Sequence, residues 1–233
     1  MQPLSTILLS IYFNKIITKK FKIMLEELFN LVKGSATESV INNPDVPNEQ
    51  NNEVVAEATN TVASGLRNMV AGGGLQNIIS MFTNSGQQGG SKSGLLSNPI
   101  VNMMIGHFAG KLMSKFNLGG NQANSVASNL IPDVISNLVN KTNDPNNSTF
   151  SLEGLLNSIT GGKTAEVVQE QQAGGNSGFN FQDLIGQFTG GGGQSGGGGG
   201  LMDIVSKLAG GAQNQQQRNG GGGLMDLIKG FIK

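Results

Sequence analysis

Apolar residues recur at three- and four-residue steps in the central part of the chain, from residue 94 to residue 162. Asn98 followed by Pro99 is a helix-start signal, because Asn accepts a hydrogen bond from the first turn and Pro needs no backbone donor there. The apolar stripe that follows predicts a helix from Pro99 to about Asn117. The central part therefore begins with an amphipathic helix.

A second apolar stripe follows the Gly119-Gly120 turn with the same helical spacing. Asn121 is the predicted cap of this helix, which we expect to run to about Val139. Pro132 falls inside the stripe and should kink or restart the helix, because it lacks a backbone N–H. Two helices joined by so short a turn are expected to pack as an antiparallel hairpin.

The N-terminal half predicts two or three further helices for packing on the hairpin. One begins at Met24, with apolar residues on one face and Glu26 and Glu27 in the first turn, where the helix dipole favours acidic groups. Another runs from about Glu53 to Ala71 and is followed by three glycines. Together with the hairpin, these helices predict a small all-α bundle.

The chain beyond residue 150 alternates glycine-rich tracts with short apolar pieces, which form a degenerate repeat. Ser151 is the candidate cap of a piece near residues 152–160, which we expect to pack against the hairpin, and Asn180 is the candidate cap of the next piece. The apolar spacing of three more pieces predicts amphipathic helices near residues 181–189, 201–209 and 224–232. Because helices shorter than about 12 residues are marginal alone in water, these pieces must dock on something. The candidate docking faces are formed by Phe181, Leu184, Ile185, Phe188, Leu201, Ile204, Val205, Leu208, Leu224, Leu227, Ile228 and Phe231.

Composition limits how much of the chain can form a core. Of 233 residues, 36 are Gly and 37% are hydrophobic, which leaves little apolar material for packing. We therefore predict a helical domain at residues 24–162 and a Gly- and Gln-rich flexible tail at residues 163–233 that carries the short helices. The absence of Cys excludes disulfides and thiolate metal sites.

Residues 1–23 carry four Lys and no acidic residue. Their apolar run is too short to span a bilayer, and it is not a typical signal peptide, because no basic residue precedes it and no small-residue cleavage site follows it. We interpret the segment as upstream sequence before a translation start at Met24. The alternative is a weak N-terminal hydrophobic segment that holds the chain at a membrane. The first interpretation places the protein in the cytoplasm, and the second places it at the cell envelope.

The chain offers little recognisable chemistry. His107 is its single histidine, and one imidazole without further ligands does not make a zinc site. No nucleophile or triad pattern accompanies it, although Asp133 in the next helix is a candidate neighbour. We therefore predict a protein that is not an enzyme, with no catalytic, cofactor-binding or metal-binding residues and no cofactor.

Two partial motifs fail at the residue that their chemistry needs. The sequence Gly161-Gly162-Lys163-Thr164 is similar to the end of a phosphate-binding loop, but Asn157 stands where the first Gly is required. Asp144 and the residues after it have the alternating spacing of a calcium loop, but Leu155 replaces the bidentate Glu. Neither motif predicts a binding site.

The block from residue 98 to residue 162, which begins NPIVNMMIGHFAGKLMSKFNLGG, resembles the core of a bacterial family of domains of unknown function, DUF 937, related to the YidB-like proteins. The resemblance extends from Met24 to about Gly211, and MLEELFNLVKG resembles the way in which such proteins begin. It implies a bacterial all-helical protein with a Gly-rich tail and without catalytic residues.

These observations lead to three functional hypotheses. The first is a non-enzymatic interaction or assembly protein that uses its tethered helices for self-association or for an unknown protein partner. The second is a peripheral membrane protein that uses its amphipathic C-terminal helices. The third is a weak DNA-binding domain, for which the helical part offers Arg67, Lys111, Lys115 and Lys141. The net charge of zero disfavours nucleic acid, because phosphate neutralisation needs clustered Lys and Arg.

Overall fold

We describe the protein from a computed structural model. The structure describes residues 4–83, 92–144, 147, 150–174, 178–189, 198–219 and 223–232, and it describes their side chains except at 4–18, 187, 189, 198–201 and 219. The apolar side chains near the N-terminus, four residues of the calcium-like loop (145, 146, 148 and 149) and the side chain of Leu201 lie outside this part. Every element of the described part is helical, which confirms the predicted all-α fold.

Eleven α-helices occur in the described residues. They are α1 (Leu4–Ser35), α2 (Asn51–Ala71), α3 (Leu75–Thr83), α4 (Lys92–Leu96), α5 (Pro99–Phe116), α6 (Gly120–Thr142), α7 (Leu152–Ile159), α8 (Lys163–Ala173), α9 (Phe181–Thr189), α10 (Gly198–Asn219) and α11 (Gly223–Lys229). A π-helical turn at Thr37–Ile41 and a 3-10 turn at Asn48–Gln50 lie between α1 and α2. Within these residues, no helix combines the length and the hydropathy needed to cross a membrane.

α1 is longer than the helix that the sequence predicts. The helix expected from Met24 is the second half of α1, which begins at Leu4. No Gly or Pro lies between these two residues, so nothing in the backbone chemistry stops the helix there. Phe21 and Met24 are both buried, so the face of α1 that packs on the core starts before Met24.

α5 begins where the Asn-Pro signal predicts. The Asn98 side chain accepts a hydrogen bond from the Ile100 N–H at 2.9 Å, and Pro99 is the first helical residue. At the other end, Asn117 adopts a left-handed conformation with a φ of 55° and closes the helix. α5 and α6 follow each other closely in the chain and are in extensive contact.

α6 differs from the prediction at two positions. Its N-cap is Gly119 without a side-chain hydrogen bond, so Asn121 lies inside the first turn instead of capping it. Pro132 lies within a continuous helix and is buried. The ring removes one backbone hydrogen bond, but its burial among apolar neighbours supplies packing that offsets part of this loss.

α7 is capped as its sequence predicts, because the Ser151 hydroxyl accepts a hydrogen bond from the Gly154 N–H at 3.0 Å. We expected α7 to pack on the pair formed by α5 and α6. Its main contacts are instead with α1, α2 and α8. The apolar face of a short helix thus identifies what is buried but not which partner covers it.

α8 is a helix that the sequence analysis does not predict. Gly161 and Gly162 have φ angles of 63° and 93°, which turn the chain directly from α7 into α8. Only Thr164 and Val167 of α8 are buried, so the apolar stripe is too sparse to indicate a helix. Its Ala, Glu, Gln and Lys residues are good helix formers, and packing on α7 and α10 supplies the remaining stabilisation.

One cluster of buried apolar side chains runs through the described chain, from Phe21 in α1 to Ile228 in α11. α2 has contacts with α1, α5, α10 and α11, which surround it. Residues 54–59 of α2 are all buried, so no face of the helix meets water at this level. α2 is therefore the central element on which the other helices are assembled.

Candidate functional site

The surface that carries the C-terminal helices is the first candidate site. α10 and α11 pack on α2, and α9 packs on α3. Of the predicted docking residues, Leu184, Ile185, Phe188, Ile204, Leu208, Leu224 and Ile228 are buried, and Phe181, Val205, Leu227 and Phe231 are partly buried against the same core. Leu201 belongs to α10, but its side chain lies outside the described part. The described docking residues therefore contact the core of their own chain.

α9 begins with a reciprocal pair of caps. The Asn180 side chain accepts hydrogen bonds from the N–H groups of Gln182 and Asp183 at 2.8 Å and 3.2 Å. In return, the Asp183 carboxylate accepts a hydrogen bond from the Asn180 N–H at 2.9 Å, which completes a capping box. At the other end of α9, the Gln76 side chain of α3 donates to the Phe188 carbonyl at 3.1 Å. α9 is thus joined to α3 by a hydrogen bond as well as by its apolar face.

Two hydrogen bonds join α10 to α2. The Gln213 side chain donates to the Ala71 carbonyl at 3.0 Å. This carbonyl belongs to the last turn of α2, where backbone acceptors have no partner within the helix. The Arg67 guanidinium donates to the Gln215 carbonyl at 3.3 Å. α10 is therefore positioned along α2 by polar contacts at its C-terminal half.

α10 also contacts α7 and α8. Lys207 forms an ion pair with Glu170 of α8 at 2.6 Å and with Asp203 of α10 at 3.2 Å. The hydrogen bond to Glu170, and then that to Asp203, raises the pKa of Lys207 because both favour the charged ammonium. Since these groups are exposed to water, the pair orients α10 more than it stabilises the fold.

Gly211 of α10 lies against the C-terminal end of α7. A Cβ at this position would clash with the Thr160 carbonyl, whereas a Cβ at the neighbouring Gly210 would meet nothing within 4 Å. Glycine is thus required at position 211 by the packing of two backbones. At position 210 the packing does not require glycine.

α11 inserts Leu224 and Ile228 into the core, where they are 3% and 0% exposed. Behind them, the Phe231 ring lies 6.2 Å from the Phe29 ring of α1, measured between centroids, at an angle of 47°. This separation is within the range of favourable aromatic pairs. α11 therefore connects α1 and α2 at the C-terminal end of the described chain.

Arg67 of α2 is a buried cation that pairs with no carboxylate in the described part of the chain. Its guanidinium lies 5.7 Å from the centroid of the Phe21 ring, and its Nε atom is buried without a hydrogen-bond partner among the described residues. Burial lowers the pKa of Arg67, because it disfavours the charged form. Arg67 is one of the four basic residues that the sequence offers to DNA, but its burial withholds it from phosphate. No local sequence signal indicates this burial, because its neighbours Phe21 and Gln215 are far from Arg67 in the chain.

Two of the other basic residues in that set are also engaged. Lys115 pairs at 2.6 Å with Glu57, whose side chain is 2% exposed. Lys141 lies 5.9 Å from the centroid of the Phe150 ring. Of the four basic residues considered for DNA binding, Arg67 is buried, and Lys115 and Lys141 interact with Glu57 and Phe150. These interactions would have to be given up for a contact with phosphate.

A cleft of about 240 Å³ between α2 and α5 is the second candidate site. Its lining includes Thr61, Gly65, Met69, Met103, Met104 and His107. Asp133, the carboxylate expected near the histidine, pairs instead with Lys92 at 3.2 Å. His107 is exposed on α5 and opens to the cleft in the company of thioethers instead of carboxylates.

Across the described residues, no three His, Asp or Glu side chains come together in a group that could hold a metal ion. Comparison of the chain with protein-family models, curated proteins and solved structures finds no match.

Proposed function

We propose that the protein is a non-enzymatic assembly protein in which α9, α10 and α11 of one copy occupy the α2 and α3 surface of a second copy. The observation that supports this proposal is that the apolar faces of these helices are buried on α2 and α3, although glycine-rich sequences connect them. An exchanged helix makes the same contacts in the second copy as in its own. Exchange of an identical element is a route to dimers that creates no new interface at the element itself.

The energetics of α11 favour reversible docking. Its two fully buried side chains, Leu224 and Ile228, contribute roughly 1.5–3 kcal/mol each. Ordering a helix of seven residues costs about 1–2 kcal/mol per residue in backbone entropy. These opposing terms are of similar size once the partly buried neighbours are added, so α11 docks weakly. A weakly docked helix can leave its own surface and bind the same surface of another copy.

The length and flexibility of the connections between the C-terminal helices determine whether each helix docks on its own chain or on a second copy. Residues 190–197 between α9 and α10 read GGGGQSGG, and residues 220–222 between α10 and α11 read GGG. An eight-residue connection spans at most roughly 27 Å, so it can reach from one core to an adjacent one. Glycine-rich connections restrict the relative placement of the helices least. Docking within one chain dominates when the protein is dilute, and exchange increases with concentration.

The membrane hypothesis requires the same apolar faces. While Leu224 and Ile228 are buried on the core, they do not contact a bilayer. Membrane binding would therefore compete with docking, and it would not add to it. Exchange of α11 between two copies keeps the packing that α11 has in the fold. The geometry therefore supports exchange better than membrane binding.

Crosslinking between two single-cysteine variants tests the proposal, because the natural chain contains no Cys. Ala71→Cys is placed in a tagged copy and Gln213→Cys in an untagged copy, at two positions joined by a hydrogen bond in the fold. The two full-length proteins are mixed and treated with a short bismaleimide. We expect a covalent heterodimer whose yield rises with protein concentration.

Two controls accompany this mixture. Met113→Cys, at a half-exposed position of α5, replaces Ala71→Cys and should give only the background of random collisions. The double variant with both cysteines in one chain should crosslink internally, which shows that the pair is in reach. Internal crosslinking without a heterodimer above the Met113→Cys background, at every soluble concentration, would refute exchange.

The resemblance to DUF 937 supports a bacterial protein of this kind, and membership in that family is part of the proposal. We further infer that α5 and α6 form the antiparallel hairpin of a scaffold, with a glycine-rich tail as the exchanging part. The contact between α5 and α6 and the contacts of α10 and α11 with α2 support this division. In this division the scaffold has a structural role and no catalytic role.

A further inference from the structure

The cleft between α2 and α5 gathers soft donor atoms that are otherwise dispersed through the sequence. The chain has nine Met, one His and no Cys. Met69, Met103, Met104 and His107 all line this one cleft, which has a volume of about 240 Å³. A third of the methionines and the single imidazole thus share one small space.

The spacing along α5 brings three of these donors to one side of the helix. Met103 precedes His107 by four residues and Met104 precedes it by three. Side chains three and four residues apart are neighbours on a helix, with Cβ atoms about 5–6 Å apart. Met69 reaches the cleft from α2. The donors therefore come from two helices that are held together by the core.

Core packing explains Met104 but not Met103. Met104 is 4% exposed and packs against Gly65, where an added Cβ would lie 2.7 Å from the Met104 Cε atom. Met103 is 68% exposed, so it contributes little to apolar burial. An exposed thioether beside an exposed imidazole is accessible to an ion from solvent. Met103 is thus placed for binding more than for packing.

The inner wall of the cleft carries an independent sign of a binding site. Thr61 is one of the residues that line the cleft, and it is 1% exposed. Its Oγ1 atom has no hydrogen-bond partner among the described residues. A buried polar atom without a partner is costly, and it is satisfied when a guest or a water that accompanies the guest enters the cleft.

We propose that this cleft binds one Cu(I) ion through the thioether sulfurs of Met69, Met103 and Met104 and an imidazole nitrogen of His107. Thioethers are soft ligands that select Cu(I), and imidazole is a ligand for copper as well. The lining contains no carboxylate, so Mg²⁺ and Ca²⁺ lack the oxygen ligands that they require. Because the chain has no thiolate, no stronger soft ligand competes for the ion.

Chelator competition under reducing, oxygen-free conditions tests this site on the full chain. The protein is titrated into a chromogenic Cu(I) complex, and the copper that it withdraws is measured by absorbance. We expect one equivalent of Cu(I) per chain. Met103→Leu and His107→Gln should each weaken binding by more than about tenfold, since even groups that merely support metal ligands contribute roughly 10- to 100-fold. Both residues are exposed, so these variants should keep the helical content and thermal stability of the parent.

Matched controls distinguish Cu(I) binding in this cleft from nonspecific Cu(I) binding by methionines elsewhere in the chain. Met113→Leu changes a half-exposed Met on the same helix, and Met202→Leu changes an exposed Met on α10. Both should leave the affinity unchanged. Equal affinity in the parent, Met103→Leu and His107→Gln would overturn the proposal, and so would an equal loss in all four variants. Binding of Cu(I) that depends on His107 but not on Met103 would also overturn it.

Discussion

Arg67 and Arg218 are the two arginines of the chain, and they lie in opposite environments. Arg67 is 3% exposed and Arg218 is exposed near the end of α10. At Arg67 the ring of Phe21 and the carbonyl of Gln215 replace only part of the hydration that the guanidinium has in water. A buried charge without a counter-ion is costly to the folded state. The burial of Arg67 therefore lowers the stability of the folded state, although its hydrogen bond to Gln215 helps to position α10 on α2.

We predict that Arg67→Met raises the free energy of unfolding by about 1 kcal/mol, because an apolar side chain of similar length removes the cost of burying a charge. Burial lowers the pKa of Arg67, so this cost is present at every pH below that folded-state pKa. The gain should therefore be the same from about pH 6 to about pH 9. Urea denaturation at several pH values measures it.

Arg218→Met is the control for this substitution, because it removes the same charge at an exposed position. It should change the free energy of unfolding by less than about 0.5 kcal/mol. A loss of stability in Arg67→Met that exceeds this margin would show that the contacts of the guanidinium outweigh its burial.

At the scale of the helix, α10 shows how packing extends an element beyond its apolar pattern. The stripe predicts a helix near residues 201–209, whereas α10 runs from Gly198 to Asn219. Its last ten residues, 210–219, read GGAQNQQQRN and carry few apolar side chains. Hydrogen bonds from Gln213 to α2 and from Arg67 to Gln215 hold this part against the core. Tertiary contacts thus supply what the local pattern lacks.

Two adjacent glycines of α10 should respond in opposite directions to the same change. Gly211→Ala places a methyl group against the Thr160 carbonyl, so we expect it to separate α10 from α7 and to destabilise the protein by about 1–3 kcal/mol. Gly210→Ala meets nothing within 4 Å and should stabilise by roughly 0.5–1 kcal/mol, because Ala is the better helix former. Urea denaturation with hydrogen exchange of the α10 amides distinguishes the two effects.

An equal response of the two variants would contradict this packing of α10. Equal stabilisation would mean that position 211 is as open as position 210. Equal destabilisation would mean that neither glycine tolerates a side chain. Hydrogen exchange should show faster exchange within α10 in Gly211→Ala alone.

At the scale of the whole molecule, the C-terminal helices belong to the same apolar cluster as the N-terminal ones. Ile228 of α11 and Phe21 of α1 are members of one cluster of buried side chains. α2 is surrounded because helices from both ends of the chain pack on it. The free energy of unfolding should therefore depend on segments that are remote in sequence.

A chain that ends at Gly174 lacks α9, α10 and α11 and exposes the apolar surfaces of α2 and α3 that they cover. We expect it to lose about 3 kcal/mol or more of stability and to bind a hydrophobic dye, since each buried apolar side chain contributes roughly 1.5–3 kcal/mol. A chain that ends at Asn219 lacks only α11 and should lose less. Urea midpoints and dye fluorescence of the three proteins provide the measurement. An unchanged midpoint in the shorter chain would show that these helices do not stabilise the core.

Much of the local structure is predictable from short stretches of sequence. The Asn98 cap, the Ser151 cap and the Asn180 cap all occur where the residue types predict them. Caps depend on residues two or three positions apart, so a local pattern contains all the information. Asn121 does not cap α6, because the preceding glycines let the helix begin two residues earlier, at Gly120.

The candidate sites are less predictable, because their members are far apart in the chain. The buried position of Arg67 depends on Phe21 and Gln215, and no periodic pattern relates these three residues. Met69 meets Met103 and His107 only because α2 packs on α5. α8 has too few apolar residues to be recognised, and its formation relies on neighbours from α7 and α10.

The sequence by itself determined the all-α class, the caps and the apolar faces of the C-terminal helices, since each of these depends on residues within one or two helical turns. Only the tertiary structure decided what those faces cover: α2 and α3 for α9, α10 and α11, and α1, α2 and α8 for α7. An apolar face is complementary to many apolar surfaces, because the hydrophobic effect is not directional. The choice among them comes from backbone approaches such as Gly211 and from polar contacts such as that of Gln213, which exist only once distant segments are together.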